Sequence, residues 1–316
     1  MPERPPRSRD PRRRTARRAR PRARAGLTAP TAALTAVLVA GTGVLAGCDS
    51  SGSATPDATK KHTAAPAWNR SPESVAAVGD SITRGFDACA VLVDCPEVSW
   101  ATGTDPGVRS LAERLLGAPA AKKNSWNHAT TGARMADVPG QMELAAQEKP
   151  ELVTVMAGAN DACRETTGQM TPVADFRASF ETAMRRLRAG APKAQVYVSS
   201  VPDLKRLWST GRGNPLGRQI WKLGLCASML RDAQDMSEGA RQRRETVYER
   251  VVAYNEVLKE VCAKDARCRY DGGAVFDYRF TGEQLSQWDW FHPSKDGQGR
   301  LAEIAYRNVT AAKYPG

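Results

Sequence analysis

An α/β layer fold built on a parallel central sheet is what residues 73–316 predict, and three observations carry that expectation. Strand-like and helix-like stretches alternate along the chain. The strand-like stretches are short, nearly unbroken apolar runs, the pattern of strands covered on both faces. Two of them stop at a glycine, Gly79 and Gly158, where a chain can leave a sheet sharply. At 316 residues, 41% hydrophobic and 25% charged, the composition is that of a globular protein and excludes wholesale disorder.

Ser74–Val78 is the first expected strand, running into Gly79-Asp80-Ser81. Val108–Leu116 has helical spacing of Val108, Leu111, Leu115 and Leu116. Pro139 suits the first turn of a helix that extends to about Glu148. Glu151–Ala157 is a second, buried strand. Val173–Arg188 is helical, with Phe176, Phe180, Met184 and Leu187 on one face. Gln195–Ser200 is a third strand, stopped by Pro202. Residues 203–240 mix Gly, Pro and scattered apolar groups and are predicted to make an excursion from the core. Thr246–Ala263 is expected as a helix, Ala274–Phe276 as the last strand and Gly299–Arg307 as the final helix. There is no internal repeat. In a sheet of this type sites form at the carboxyl edge, which is where Ser81 and Gly158 fall.

The formal charge of +12 invites a nucleic-acid reading that its distribution removes. Residues 1–25 hold eleven arginines against Glu3 and Asp10, a net +9, and residues 26–47 carry no charge. From Cys48 onward 35 basic groups face 32 acidic ones, a net +3. Charge therefore points to no polyanion, and no nucleic-acid partner is expected.

An Arg-rich stretch followed by an uncharged apolar run is the layout of an export signal, assigned to residues 1–47. Its longest proline-free piece, Thr31–Gly47, is seventeen residues, short of the roughly 20 a spanning helix wants. The paired arginines hint at twin-arginine export. Gly41-Thr-Gly43-Val-Leu-Ala46 matches a dinucleotide fingerprint in letters but follows no strand, and is discarded. The run ends Leu45-Ala46-Gly47-Cys48, which resembles the lipobox of bacterial lipoproteins. The resemblance implies a lipid on Cys48 and a membrane-anchored or secreted protein, with an ordinary cleaved signal or an uncleaved anchor as alternatives. Residues 48–72, rich in Ser, Thr, Ala and Pro, read as a flexible tether that includes His62.

Six cysteines remain: Cys89, Cys95, Cys163, Cys226, Cys262 and Cys268. An even number in an exported chain argues for disulfides, although number alone leaves the pairing open. The intervals suggest sequence neighbours: Cys89 with Cys95, Cys163 with Cys226, Cys262 with Cys268. No Cys/His spacing suits zinc, so no metal site is expected.

Ser81 follows a strand, flanked by small residues that let the chain turn and expose its hydroxyl. A serine hydroxyl needs an adjacent base, and the domain offers only His128 and His292. His292 closes Asp289-Trp-Phe-His292, where an i, i+3 carboxylate can reach Nδ1 and leave Nε2 free as base. His128 has no such neighbour and is expected to pack locally. Asn160, just after the central strand, and the backbone N–H of Gly132 are candidate donors to a developing oxyanion.

Gly79-Asp80-Ser81, Gly132 in a second block, Gly158-Ala-Asn160-Asp161 and Asp289-x-x-His292 occur in this order over residues 74–305. In order and spacing the chain resembles the SGNH (GDSL-type) hydrolase family. The resemblance implies a flavodoxin-like three-layer α/β/α sandwich and ester hydrolysis through a Ser–His–Asp site without metal or cofactor. It makes Ser81 the nucleophile, His292 the base and Asp289 its orienting acid, with Ser81, Gly132 and Asn160 forming the oxyanion hole. The GxSxG elbow of α/β-hydrolases is absent, since position 83 is Thr. Ser99–Gly103, Gly132–Pro139 and the cysteines Cys89 and Cys163 are similar to the phospholipase B-like and actinobacterial lipase groups. This implies an acyl-ester or phospholipid substrate, for a lipase, phospholipase or short-chain esterase. Two alternatives stand beside it: a polysaccharide or glycan acetylesterase, and a non-catalytic surface module that keeps the fold. Trp100, Trp288 and Trp290 are placed either along an acyl site or in the core. A monomer is expected.

Overall fold

The computed structural model describes residues 67–313. The expected leader, the candidate lipid site Cys48, His62 and residues 48–66 of the expected tether lie outside the described residues. Residues 67–72 of that tether are instead held to the domain, Trp68 Nε1 donating to the Val309 carbonyl and Asn69 exchanging bonds with the Gln195 side chain. Five strands form one parallel sheet: β1 (Val75–Gly79), β2 (Ser125–Asn127), β3 (Leu152–Met156), β4 (Gln195–Val198) and β5 (Cys268–Tyr270), in the order β2-β1-β3-β4-β5. β1 and β3 are buried along their whole length, as near-continuous apolar runs broken only by Thr154 and the terminal Gly79 require. Right-handed crossovers place the β1–β2 connection on one face and the connections from β2 to β5 on the other. Helix Leu111–Leu116 accordingly packs with Lys295–Thr310, while Val138–Gln147 packs on Val173–Gly190, which packs on Glu238–Ala263. The result is the three-layer α/β/α sandwich expected.

Strand order reverses between β1 and β3, so the crevice of the switch point opens where Ser81 and Asn160 leave the sheet. Gly79 makes the close approach possible. Its φ is +148°, and a Cβ there would stand 2.1 Å from the Met156 carbonyl.

The structure corrects three sequence expectations. Residues 203–240 are no excursion: helices Leu204–Gly211, Pro215–Trp221 and Ala227–Leu230 bury Leu204, Trp208, Trp221 and Met229 in the main core. Glu238–Ala263 begins eight residues before the expected Thr246, with Ser237 capping it through the Ala240 N–H. Ala274–Asp277 is a helical turn, because Gly272 and Gly273 take positive φ and Asp271 accepts the Gly273 and Val275 N–H groups. The last strand is instead Cys268–Tyr270.

The three cysteine pairs are disulfides: Cys89–Cys95, Cys163–Cys226 and Cys262–Cys268. The second ties the turn after Asn160 to residue 226 across a separation of 63 positions. Among the described residues no helix is long and apolar enough to cross a membrane.

Candidate active site

Ser81 is carried by the tight turn that follows β1. The Gln141 side chain clasps Gly79 from both sides, its Oε1 accepting the Gly79 N–H at 2.7 Å and its Nε2 donating to the Gly79 carbonyl at 3.0 Å. Asp80 Oδ1 accepts the Ile82 N–H at 3.0 Å, and the Phe86 N–H donates to the Ser81 carbonyl at 3.0 Å. From the last helix, Gln298 donates to the Ile82 carbonyl at 2.8 Å and accepts the Trp100 N–H at 2.9 Å. Gly79 and Ile82, on either side of Asp80-Ser81, are therefore held by buried amide or carboxyl groups.

Ser81 Oγ lies 2.8 Å from His292 Nε2. His292 Nδ1 is hydrogen-bonded to Asp289 Oδ2, while Asp289 Oδ1 accepts the N–H groups of Phe291 and His292, each at 2.9 Å. The i, i+3 spacing thus folds into a local turn in which the carboxylate grips both the ring and the backbone of the histidine. All three side chains are nearly sealed from solvent, at 5% exposure for Ser81, 6% for His292 and 4% for Asp289.

Burial disfavours the charged imidazole of His292, but Asp289 foremost, then Asp80 and Asp87, outweigh it and raise its pKa above 6.5. Burial likewise pushes the Asp289 carboxyl up, and His292 with the two backbone donors holds it below its usual range. Asp80, 1% exposed with Oδ2 unpaired, is pushed by burial up to about 7. Neither Asp80 nor Asp87 stands out in the sequence as a site residue.

Asn160 sits one residue into the turn of helix Ala159–Ala162, directly after the Gly158 bend. Its Nδ2 donates to the Ala133 carbonyl at 3.0 Å, and Asp161 Oδ2 accepts the Met135 N–H at 2.8 Å. These bonds join the third sequence block to the second. The second is joined to the first by the Thr130 N–H, which donates to the Gly79 carbonyl at 3.1 Å. Gly132 adopts φ +82°, and no atom lies within 4 Å of where its Cβ would stand, so its backbone is sterically open. Buried Asp161 is the residue that sequence reasoning quoted without a role: it fixes the loop bearing Gly132. His128 stands apart, its N–H bonded to the Ala77 carbonyl and its Nε2 buried without a partner. Burial lowers its pKa, as for a packed neutral ring.

Two cavities flank the site. A tight apolar one of about 10 Å³ is lined by Ile82, Ala159, Leu204, Leu207, Phe280 and Phe291, several of them chain neighbours of site residues. A wider one of about 510 Å³ is lined by Asp87, Glu283, Ser286, Trp288, Trp290 and Lys295 among others. Trp100 is in the core, whereas Trp288 is 38% exposed. A larger space of about 590 Å³, with Lys149, Lys193 and Arg267 on its wall, lies at the amino ends of β3 and β4, the edge away from Ser81.

The family model of the GDSL-like lipase/acylhydrolase matches residues 75–305. Among solved structures, an extracellular lipase from Streptomyces rimosus is 19% identical, with 75% of this chain and 99% of that one covered and a TM-score of 0.43. A lipase from a goat rumen metagenome is 13% identical, with 73% and 94% covered and a TM-score of 0.45. A family two carbohydrate esterase from Clostridium thermocellum, in complex with cellohexaose, is 16% identical, with 75% and 63% covered and a TM-score of 0.44. No curated protein matches the chain.

Proposed function

The chain belongs to the GDSL-like lipase/acylhydrolase family and is a carboxylic ester hydrolase, and from that premise we propose that it cleaves acyl esters through Ser81, His292 and Asp289 by way of an acyl-enzyme. The observation that supports this reading is the unbroken hydrogen-bonded path from Ser81 Oγ through the His292 ring to Asp289. With Nδ1–H directed at Asp289, Nε2 carries the lone pair that takes the serine proton as Oγ attacks the ester carbonyl. The negative charge that develops on the carbonyl oxygen is received by the Ser81 and Gly132 N–H groups and the Asn160 amide. His292 then returns its proton to the leaving alkoxide, and water activated by the same ring releases the acid.

The apolar cavity beside Ile82 and Phe291, at about 10 Å³, is too small to seat an acyl group and chooses none of the lipase, phospholipase and short-chain esterase readings. One observation favours the alternative of a glycan ester: the wide cavity carries Trp288 and Trp290, whose faces suit the stacking of sugar rings. Rates on p-nitrophenyl esters of rising chain length, phosphatidylcholine and acetylated xylan separate these substrates. Full turnover of p-nitrophenyl acetate by Ser81→Ala protein would remove the nucleophile assignment.

We also read the chain as exported and held at the outer face of the cell membrane through lipid on Cys48. Three disulfides and the leader that ends Leu45-Ala46-Gly47-Cys48 support this. Cys48→Ser protein is expected to lose its lipid and its processing. Wild-type protein that keeps its whole leader and carries no lipid points to a plain anchor instead.

A further inference from the structure

Asp87 stands beside the Ser81–His292–Asp289 path without belonging to it. It is 2% exposed and adopts φ +57°, a left-handed conformation that Asp and Asn tolerate better than most residues. Three ties hold it there. Its N–H donates to the Val93 carbonyl at 3.0 Å, its Oδ1 accepts the Leu92 N–H, and its carbonyl accepts Ser286 Oγ–H at 2.6 Å. The Cys89–Cys95 disulfide closes the same loop, and the preceding Phe86 sets its ring edge-on to His292 with centroids 5.0 Å apart. The outcome is a second carboxylate at the base: an oxygen of Asp87, an oxygen of Asp289 and a ring nitrogen of His292 lie within 4.8 Å of one another.

Building on the assignment of His292 as base, we infer that Asp87 is a positioning residue that acts through the His292–Asp289 pair, its negative charge stabilising the imidazolium and so setting the acid limit of hydrolysis. Asp289 alone fixes the tautomer, since its carboxylate already engages both Nδ1 and the backbone. Asp87 accepts no bond from the ring; it adds a nearby charge at a little-exposed position on the wall of the wide cavity, where charges act more strongly than in bulk water. Burial, and next Asp289, push its own carboxyl up to about 6, while the Leu92 N–H and His292 pull it down. Above that pH it is ionised and opposes loss of the His292 proton. Other charged groups are placed less directly. Asp80 faces the ring from the end of β1. Glu283, Lys295 and Asp296 border the wide cavity, with Lys295 held by Asp105 at 2.7 Å. Arg84, on Asp87's own loop, is paired with Asp94 at 3.2 Å.

The test is the pH profile of kcat/KM for a p-nitrophenyl ester with Asp87→Asn protein. The asparagine keeps an oxygen for the Leu92 N–H and tolerates the left-handed backbone, so the charge is removed with the loop intact, and the second oxygen becomes an amide donor toward Asp289. The acid limb is expected to move to lower pH by about one unit, with the high-pH plateau within about tenfold of wild type. Asp87→Ser, whose hydroxyl is neutral, is expected to shift the limb in the same direction. A limb that stays in place in both variants overturns the inference. So does failure of both to fold, which would make Asp87 a support of the 87–95 loop alone. Ser81→Ala run in parallel separates the two assignments. An inactive Ser81→Ala with an unmoved limb in Asp87→Asn removes only Asp87, whereas an active Ser81→Ala removes the nucleophile.

Discussion

Ser81 and His292, 211 positions apart in the chain, meet at 2.8 Å through Oγ and Nε2. Neither side chain reaches far to do so. Ser81 is placed by the end of β1, and His292 by a turn sealed with Asp289 and followed by the helix Lys295–Thr310. Gln298 of that helix bonds the backbone of the β1–β2 connection at two points, the Ile82 carbonyl and the Trp100 N–H. The site is thus a joint between the first strand and the last helix.

Gln298→Leu should loosen that joint. The glutamine is fully buried, and its loss leaves the Ile82 carbonyl and the Trp100 N–H without their partner. Two buried backbone groups left unpaired cost about 3 kcal/mol in total. Urea denaturation should show that loss, and kcat should fall with it.

Gly79→Ala should be costlier than an ordinary strand substitution. The added methyl meets the Met156 carbonyl at 2.1 Å, on backbone that cannot swing away, at a φ of +148°. A loss of about 3 kcal/mol is expected by denaturant melting. An unchanged midpoint would show that β1 and β3 can separate at their ends.

Asp80→Asn should stabilise the protein at alkaline pH. The Asp80 carboxyl titrates at about 7 in the folded chain against 3.8 unfolded. Between those values the unfolded chain releases a proton that the folded chain keeps, so stability falls as pH rises, and above 7 the penalty is constant. Asparagine keeps the acceptor for the Ile82 N–H and cannot ionise. Melting curves should favour the variant by about 4 kcal/mol at pH 8 and converge with wild type below pH 4.

Asn160→Ala should lower kcat by about 10²–10³-fold with little change in KM, as expected for a donor used in the transition state. Kinetics that instead show a raised KM and an unchanged kcat would assign Asn160 to substrate binding.

Breaking the Cys163–Cys226 link by serine substitution at both positions should cost about 4 kcal/mol, given the loop it closes. Thermal melting in the absence of reductant reads this. Free thiols at both cysteines in peptide maps of the wild-type protein would refute the bridge.

The buried strands β1 and β3 were legible because two-sided burial writes itself as an apolar run ending in glycine. β2 and β5 were not. They are the sheet's edge strands, and Ser-Trp-Asn and Cys-Arg-Tyr carry polar groups where an interior strand would not. The helices of residues 203–240 escaped for another reason: each is eight residues or fewer, too short for an apolar period to repeat. Ser81, Asp289 and His292 were visible because local spacing constrains them. Asp87, Gln141 and Gln298 matter only through partners far along the chain, and no local pattern marks them.

The proposed reading is that Ser81 is the nucleophile, activated by His292. Its most direct test is intact-mass analysis after treatment with a serine-directed phosphonate, followed by mapping of the labelled peptide. One adduct on Ser81 in the wild type, none in Ser81→Ala and much slower labelling in His292→Ala is the predicted result. No adduct in the folded wild type, or an adduct on another residue that persists in Ser81→Ala, would contradict it.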